Sequence, residues 1–428
     1  MNFIFLRIVP AVCLLVLGGS VGRSQEQGRG VGESSSAAAE TKLANRSNVL
    51  AGIDVLQRDD FDVLAGQKVA LITNQTGITR TGDSTVSILF ESDNVDLVAL
   101  FSPEHGFAGT LDQANIDDGR DATTGLKVHS LYGKTRVPTP EMLAGVDTLV
   151  FDIQDIGTRF YTYISTMGSA MKAAGQQGVR FVVLDRPNPI GGIDVQGPVL
   201  DAGSESFVGF HPIAVRHGMT VGELARMFQA EMKIDVDLVV VPVERWDRGQ
   251  MLDDTGRLWV NPSPNMRNLN QALLYPGVGL WEMTNVSVGR GTDIPFEIIG
   301  ASWIDPIAFA DRLNLAGLAG VRFMPLMFVP ESSQYADQRC GGVQILITNR
   351  SQVDPLRLGM TLATSLHAMY PEQWDTSKLN RLLSDQKTAD GILAGASADE
   401  LIAGYQEELG SFLQRRAKYL IYPDVDAE

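Results

Sequence analysis

A carboxylate and an imidazole stand side by side in Ser102-Pro103-Glu104-His105-Gly106, directly after the apolar run Leu97 to Phe101. The proline ends that run and the glycine lets the chain turn. Groups held at the end of a rigid strand in this way can do acid–base chemistry. Three other apolar runs also end in polar turns: Thr73-Asn74-Gln75-Thr76-Gly77, the stretch DIQDIGTR from Asp152 to Arg159, and Asp185-Arg186-Pro187-Asn188-Pro189. Ligands of an open parallel sheet bind beyond the carboxyl ends of its strands. Such a sheet would gather Asn74, Glu104, His105, Asp152, Gln154, Asp155, Arg159, Asp185, Arg186 and Asn188 on one rim. Asp and Asn also make turns for their own sake, which accounts for Asp185 and Asn188. Glu104, His105 and Arg159 are not turn residues, so they point to function.

Paired carboxylates are the usual apparatus for splitting a glycosidic bond, one of them protonating the leaving oxygen. Glu104 is the candidate acid, and Asp155 and Glu282 are candidates for its partner. Asp152 is as well suited to orienting a neighbour. A second polar cluster lies at 259–297, where Asn261, Asn265, Trp281, Glu282 and Arg290 share one irregular stretch. Donors, acceptors and aromatic faces together suit a sugar, although a long connecting loop would read the same way. In Thr220-Val221-Gly222-Glu223 the spacing is that of a capping box, which gives Glu223 a structural task. A metal centre is disfavoured. The five histidines, His105, His129, His211, His217 and His367, form no H-E-x-x-H or H-x-H motif. No G-x-S-x-G lies beyond the expected leader either.

The elements that must position these groups alternate. Strands are expected at 68–73, 96–101, 128–132, 147–151 and 180–184. Helices are expected at 84–90, capped by Asp83, from Thr139-Pro140, and at 163–177. The strands are continuous runs of Val, Leu, Ile and Phe, as in sheets covered on both faces. The pattern is α/β: a Rossmann-like, doubly wound parallel sheet over residues 48–200, with a second, smaller α+β domain over 201–428. The second domain is expected to hold helices at 220–232, 306–314, 355–369 and 398–416, and strands at 238–243, 298–303, 322–329 and 343–348. No G-x-G-x-x-G follows the first strand, so no dinucleotide cofactor is expected.

The 428 residues are 44% hydrophobic and 20% charged, with a net charge of −16. That balance fits a globular protein and argues against a nucleic-acid partner. Residues 1–24 read as a signal peptide, with Arg7 ahead of an apolar stretch from Ile8 to Leu17 that is short for a membrane span. Residues 25–47 read as a flexible linker. The mature protein is expected to be exported, periplasmic or secreted, without a stable membrane span. Cys13 follows a poor lipobox. Once the leader is removed, Cys340 stands alone and no internal disulfide can form.

Eight ordered motifs, SPEHG, DIQDIGTRFYTY, LDRPNP, RHGMTVGE, PSPNM, LLYPGVGLWE, NVSVGRGT and PFE, closely resemble those of the exo-acting β-N-acetylmuramidases of the NamZ type. The resemblance covers about residues 50 to 425. The acidic loop at 112–121 has no clear place in it. It implies an enzyme that releases terminal N-acetylmuramic acid from the non-reducing end of peptidoglycan fragments, with the site in a cleft between two domains. It also points to Glu104 as the leading catalytic carboxylate and leaves the second open, with Asp155 first and Glu282 next. The substrate is then a muramyl saccharide, and no cofactor is implied.

The lactyl carboxylate of that sugar is best held by an arginine fork, for which Arg159 and Arg290 are candidates. Asn74, Gln154, Asn261 and Asn265 could bind hydroxyls or the acetamido group. His105 could orient Glu104 or touch a hydroxyl. Asp152, Tyr161, Arg186, Asn188, His217 and Glu282 complete the expected contacts. A non-catalytic muropeptide- or sugar-binding protein and a metal-dependent cell-wall amidase are the alternatives.

Overall fold

The computed structural model describes residues 48–113 and 115–422. The expected signal peptide and linker, with Cys13, lie outside the described residues. The chain runs α1 (Gly52–Arg58), β1 (Lys68–Thr73), α2 (Thr85–Glu91), β2 (Asp96–Ser102), β3 (Gly119–Arg120), β4 (Lys127–Ser130) and β5 (Thr148–Asp152). It continues with α3 (Tyr163–Gln177), β6 (Arg180–Leu184), β7 (Gln196–Val199), β8 (Ala214–Arg216), α4 (Val221–Glu231) and β9 (Leu238–Val241).

Seven strands form one sheet in the order β3-β4-β2-β1-β5-β6-β9. All neighbours are parallel except β3, which runs antiparallel to β4. The chain winds outward from β1 through β2 to β4, then returns to β5 and winds the other way. The switch point therefore lies between β1 and β5. Along β1, Ala70 and Ile72 enter one hydrophobic cluster, while Val69 and Leu71 enter another on the opposite face. Both faces are covered, which is why the strands lack a polar alternation. β9 comes from beyond residue 200, so the sheet draws on chain assigned by sequence to the second domain.

The remainder holds α5 (Leu269–Val278), β10 (Ile298–Ala301), α6 (Pro306–Leu315), β11 (Val321–Phe328), β12 (Cys340–Ile347) and α7 (Pro355–Met369). It ends in α8 (Asn380–Leu383), α9 (Gln386–Leu393), α10 (Ala398–Gly404) and α11 (Gln406–Arg416). β10, β12 and β11 make an antiparallel sheet, and β7 pairs with β8. The described residues lie in one compact unit, and one core cluster runs from the sheet into the C-terminal half. Helices α5 and α7 cross so closely that a Cβ on Gly277 would stand 1.8 Å from the Pro355 carbonyl oxygen. This brings Trp281 Nε1 to 3.0 Å from the Gly359 carbonyl oxygen. Among the described residues no helix is long and apolar enough to cross a membrane.

Several sequence expectations change. Ser84, not Asp83, caps α2 by accepting from the Ser87 amide at 3.0 Å. No helix forms after Thr139-Pro140, where the chain only turns. The irregular stretch 259–297 contains α5, which Pro276 disguises because proline is a poor helix interior. The expected helix at 398–416 is two, broken at Tyr405 after Gly404. The capping box holds: Thr220 accepts from the Glu223 amide, and Glu223 accepts from Thr220.

Candidate active site

A cavity of about 680 Å³ opens at the end of β2. Pro103 stops the strand, and His105, Gly106 and Gly109 all take positive φ. The loop closes on itself through the Leu111 amide to the His105 carbonyl at 3.2 Å. His105 Nδ1 donates to the Leu111 carbonyl at 2.8 Å, which leaves Nε2 as the free ring nitrogen. Glu104 is half-buried on the cavity wall.

Opposite the loop is the start of α3. The Thr162 hydroxyl donates to Glu104 Oε2. The Tyr132 hydroxyl also faces Glu104; burial first and then that carboxylate hold the phenol above its ordinary range. No cation is paired with Glu104 among the described residues. Its orientation is therefore set by two hydroxyls and by the positive end of α3.

The floor is aromatic. Tyr275 packs against Phe296, Phe160 and Tyr161 at centroid separations of 4.6, 5.1 and 5.9 Å, and Tyr161 meets Tyr163 edge-on at 5.0 Å. These rings are almost fully buried against one another, so the floor they form is apolar and close-packed. The far wall carries Glu282 and Arg290. Arg290 Nε lies 3.2 Å from Glu282 and its Nη1 3.6 Å from Asp112. Burial works against the charge of Arg290, but Glu282, then Tyr275 and Asp112, hold it above its ordinary range. Asn265 Nδ2 donates to Asp112 at 2.8 Å, so Asn265 acts on the cavity through Asp112. The acidic loop beginning at 112 thus supplies part of the wall.

Of the residues proposed from sequence, Glu104, His105, Tyr161, Glu282 and Arg290 line this cavity. The others do not. Asp152 and Arg186 form a buried two-pronged pair, Nε–Oδ1 2.6 Å and Nη2–Oδ2 2.8 Å. Gln154 ties the carbonyls of Asp155 and Pro187. Asn188 makes a turn, accepting from the Ile190 amide and donating to the Met219 carbonyl. Asn74 accepts from the amide and hydroxyl of Thr76 in an Asx turn. Asn261 is exposed, and its Oδ1 accepts from Trp259 Nε1.

Arg159 is fully buried and donates to the carbonyls of Pro198, Ile213, Leu382 and Leu383, and burial pulls its guanidinium down to about 10. It straps α8, whose Leu382 lines the cavity, to the sheet, and leaves no fork for a substrate.

Asp155 lies behind the wall. Its donors include the Gly157 amide at 2.7 Å, and burial pushes its carboxyl up to about 7. His217 Nε2 is 3.9 Å from it. Burial first, then Arg416, Arg159 and Arg248, push the imidazole down to about 3, so His217 is neutral and the two make no ion pair. Its Nδ1 accepts from the Met219 amide.

Sequence reasoning passed over Asp112, Tyr132, Arg136, Thr162, Tyr163, Tyr275 and Phe296, all on the cavity wall. Four of them sit inside or beside motifs already singled out: Thr162 and Tyr163 in DIQDIGTRFYTY, Tyr275 in LLYPGVGLWE, Phe296 in PFE. Among the described residues no group of three His, Cys, Asp or Glu is placed to hold a metal ion.

The N-terminal family model described as exo-beta-N-acetylmuramidase NamZ matches residues 69–270, and the C-terminal model matches 273–422. The chain is 44% identical over 394 residues to the peptidoglycan beta-N-acetylmuramidase NamZ of Bacillus subtilis (strain 168), covering 91% of this chain and 95% of that protein. Crystal structures of two DUF1343 family proteins from Bacteroides fragilis NCTC 9343 share the fold. One has a TM-score of 0.82 at 36% identity, the other 0.71 at 30%, and each match covers 88% of this chain and all of the other.

Proposed function

The chain belongs to the NamZ exo-β-N-acetylmuramidase family, and from that premise we infer that it is a glycoside hydrolase releasing terminal N-acetylmuramic acid from the non-reducing end of peptidoglycan fragments. The observation that carries the reading onto particular residues is Glu104. It is a carboxylate without a cation partner among the described residues, aimed by Thr162 into an aromatic-floored cavity.

In this reading the terminal sugar lies on Tyr275, Phe296 and Tyr161, and Glu104 delivers a proton to the glycosidic oxygen as the bond to the anomeric carbon breaks. Bare Nε2 of His105 accepts from a sugar hydroxyl beside it. The second carboxylate is drawn from those that face the cavity. Glu282, held by Arg290, takes precedence over Asp155, which is sealed behind the wall. The stereochemical outcome follows from the separation of the two carboxyl groups: about 5 Å for retention, about 6.5–9.5 Å for inversion. Asn265 and Asp112 form the support of Arg290.

The test is direct. A muramyl-terminated disaccharide or a chromogenic muramide incubated with the protein should yield free N-acetylmuramic acid, and Glu104→Gln should slow release by about 10³-fold with the fold intact. Binding without release would turn the reading into that of a sugar-binding protein. Full activity in Glu104→Gln would remove Glu104 from the reaction. Export rests on Arg7 and the apolar stretch Ile8 to Leu17. An N-terminus of the mature protein beyond residue 17, read from an extracytoplasmic fraction, would support it; recovery of the uncleaved chain in the cytoplasm would refute it.

A further inference from the structure

Building on the reading of the substrate as a terminal N-acetylmuramic acid, we propose that Arg136 receives its lactyl carboxylate and sets the enzyme's preference for an acidic sugar. Three arginines line the cavity: Arg136, Arg290 and Arg381. Arg290 already serves Glu282 and Asp112. Arg381 is exposed on α8, with no aromatic ring packed on it among the described residues. Arg136 is exposed as well, but it is held by aromatic rings where Arg381 is not. Its guanidinium carbon lies 4.3 Å from the ring centre of Phe207 and 5.1 Å from that of Tyr132, and no carboxylate is paired with it among the described residues.

Stacking fixes the plane of a guanidinium without using its in-plane N–H donors. Those donors are the ones a carboxylate takes two at a time. The site is thus a preset fork for an anion, on the wall that also carries Glu104.

Tyr132 supplies the spacing. Its ring face carries Arg136 and its hydroxyl faces Glu104. Tyr132 therefore stands between the anion receptor and the catalytic carboxylate. In N-acetylmuramic acid the scissile bond leaves C1 and the lactyl ether leaves C3, so the leaving oxygen and the carboxylate are separated by about one pyranose ring. A sugar seated on the aromatic floor with its glycosidic oxygen at Glu104 carries its lactyl group toward Arg136. Removing the lactyl group, or its charge, leaves the fork unpaired.

The experiment compares N-acetylmuramic acid with its lactyl methyl ester, which differ in that charge. Binding of both is measured by titration calorimetry, and hydrolysis of a chromogenic muramide is followed, for the wild type, Arg136→Gln, Arg136→Lys and Arg381→Gln. The wild type should bind the acid about 10- to 100-fold more tightly than the ester. Arg136→Gln should bind the two alike and raise KM for the muramide by a similar factor, with kcat less affected. Arg136→Lys should keep part of the preference, and Arg381→Gln all of it.

Retention of the acid preference in Arg136→Gln overturns the assignment. So does equal weakening of both ligands, which is the mark of a merely structural role, and so does loss of the preference in Arg381→Gln instead. A wild type that releases no N-acetylmuramic acid and binds neither sugar brings down the proposed function and this inference with it. A wild type that hydrolyses the muramide while Arg136→Gln matches it in every respect brings down this inference alone.

Discussion

The crevice between β1 and β5 and the cavity at the end of β2 are made from the same kinds of residue, yet only one of them is open. The crevice is where an open α/β sheet is expected to bind its ligand. Here it is filled by the chain. Asp152 and Arg186 neutralise each other, Gln154 and Asn188 tie backbone carbonyls, and the space left beside Arg186 is about 10 Å³. One strand over, Glu104 meets two hydroxyls and, among the described residues, no cation, and the space beside it is about 680 Å³. Polar residues at a strand end thus fall into two kinds: those whose donors and acceptors are consumed by each other, and those that leave a group unspent. The second kind marks the site.

Two substitutions set the regions against each other. Glu104→Gln should lower kcat/KM on a muramide by about 10³-fold, the usual range for losing a positioned proton donor, with the melting temperature close to wild type because Glu104 is only half-buried. Asp152→Ala should do the reverse. It leaves Arg186 buried without its anion, at a cost of about 3–5 kcal/mol in stability measured by urea unfolding, while the folded fraction keeps its turnover. A stable Asp152→Ala protein without activity would move the pair from the frame into the site and dissolve the distinction.

The sheet was legible because its strands are unbroken apolar runs of the right length, and the capping box of α4 and the proline starts of α6 and α7 announce themselves. The rim was legible as a rim. What the sequence does not carry is which rim residues spend their hydrogen bonds internally. Arg159 looks like a substrate fork in DIQDIGTR, yet its partners are carbonyls at 198, 213, 382 and 383, far away along the chain. Arg136 has no motif around it, because the rings that hold it, Tyr132 and Phe207, come from separate segments. Tyr275 was hidden in a stretch read as loop, since Pro276 next to it obscures α5.

Asp155 tests the frame by pH. Its carboxyl titrates at about 7 in the fold, against 3.8 for the free group, because it is buried. Between about pH 4 and 7 the unfolded chain has released this proton while the folded chain keeps it. Asp155 therefore lowers stability progressively as pH rises through that window, by at most about 1.4 kcal/mol per pH unit, and its cost is constant above it. Asp155→Asn should remove that slope and leave the protein more stable than wild type at pH 8, as read from unfolding midpoints across pH. An unchanged slope would mean that the carboxyl is ionised throughout and belongs with the groups that await a ligand.

Thr162 stands on the boundary between the two regions, so its effect is the smallest and the most discriminating. A threonine before a helix ordinarily accepts from an amide of the first turn, and losing that cap costs about 1 kcal/mol. Thr162 occupies the cap position of α3 but makes no such bond, and its hydroxyl is given to Glu104 instead. The helix forgoes a cap in order to hold the carboxylate. Thr162→Val should therefore lower kcat by about tenfold, the worth of one hydrogen bond to a charged group, with KM and melting temperature nearly unchanged. Thr162→Ser, which keeps the hydroxyl, should restore most of the rate. If Thr162→Val instead lowered the melting temperature and left kcat alone, the hydroxyl would belong to the helix, and Glu104 would be aimed by Tyr132 and the loop behind it.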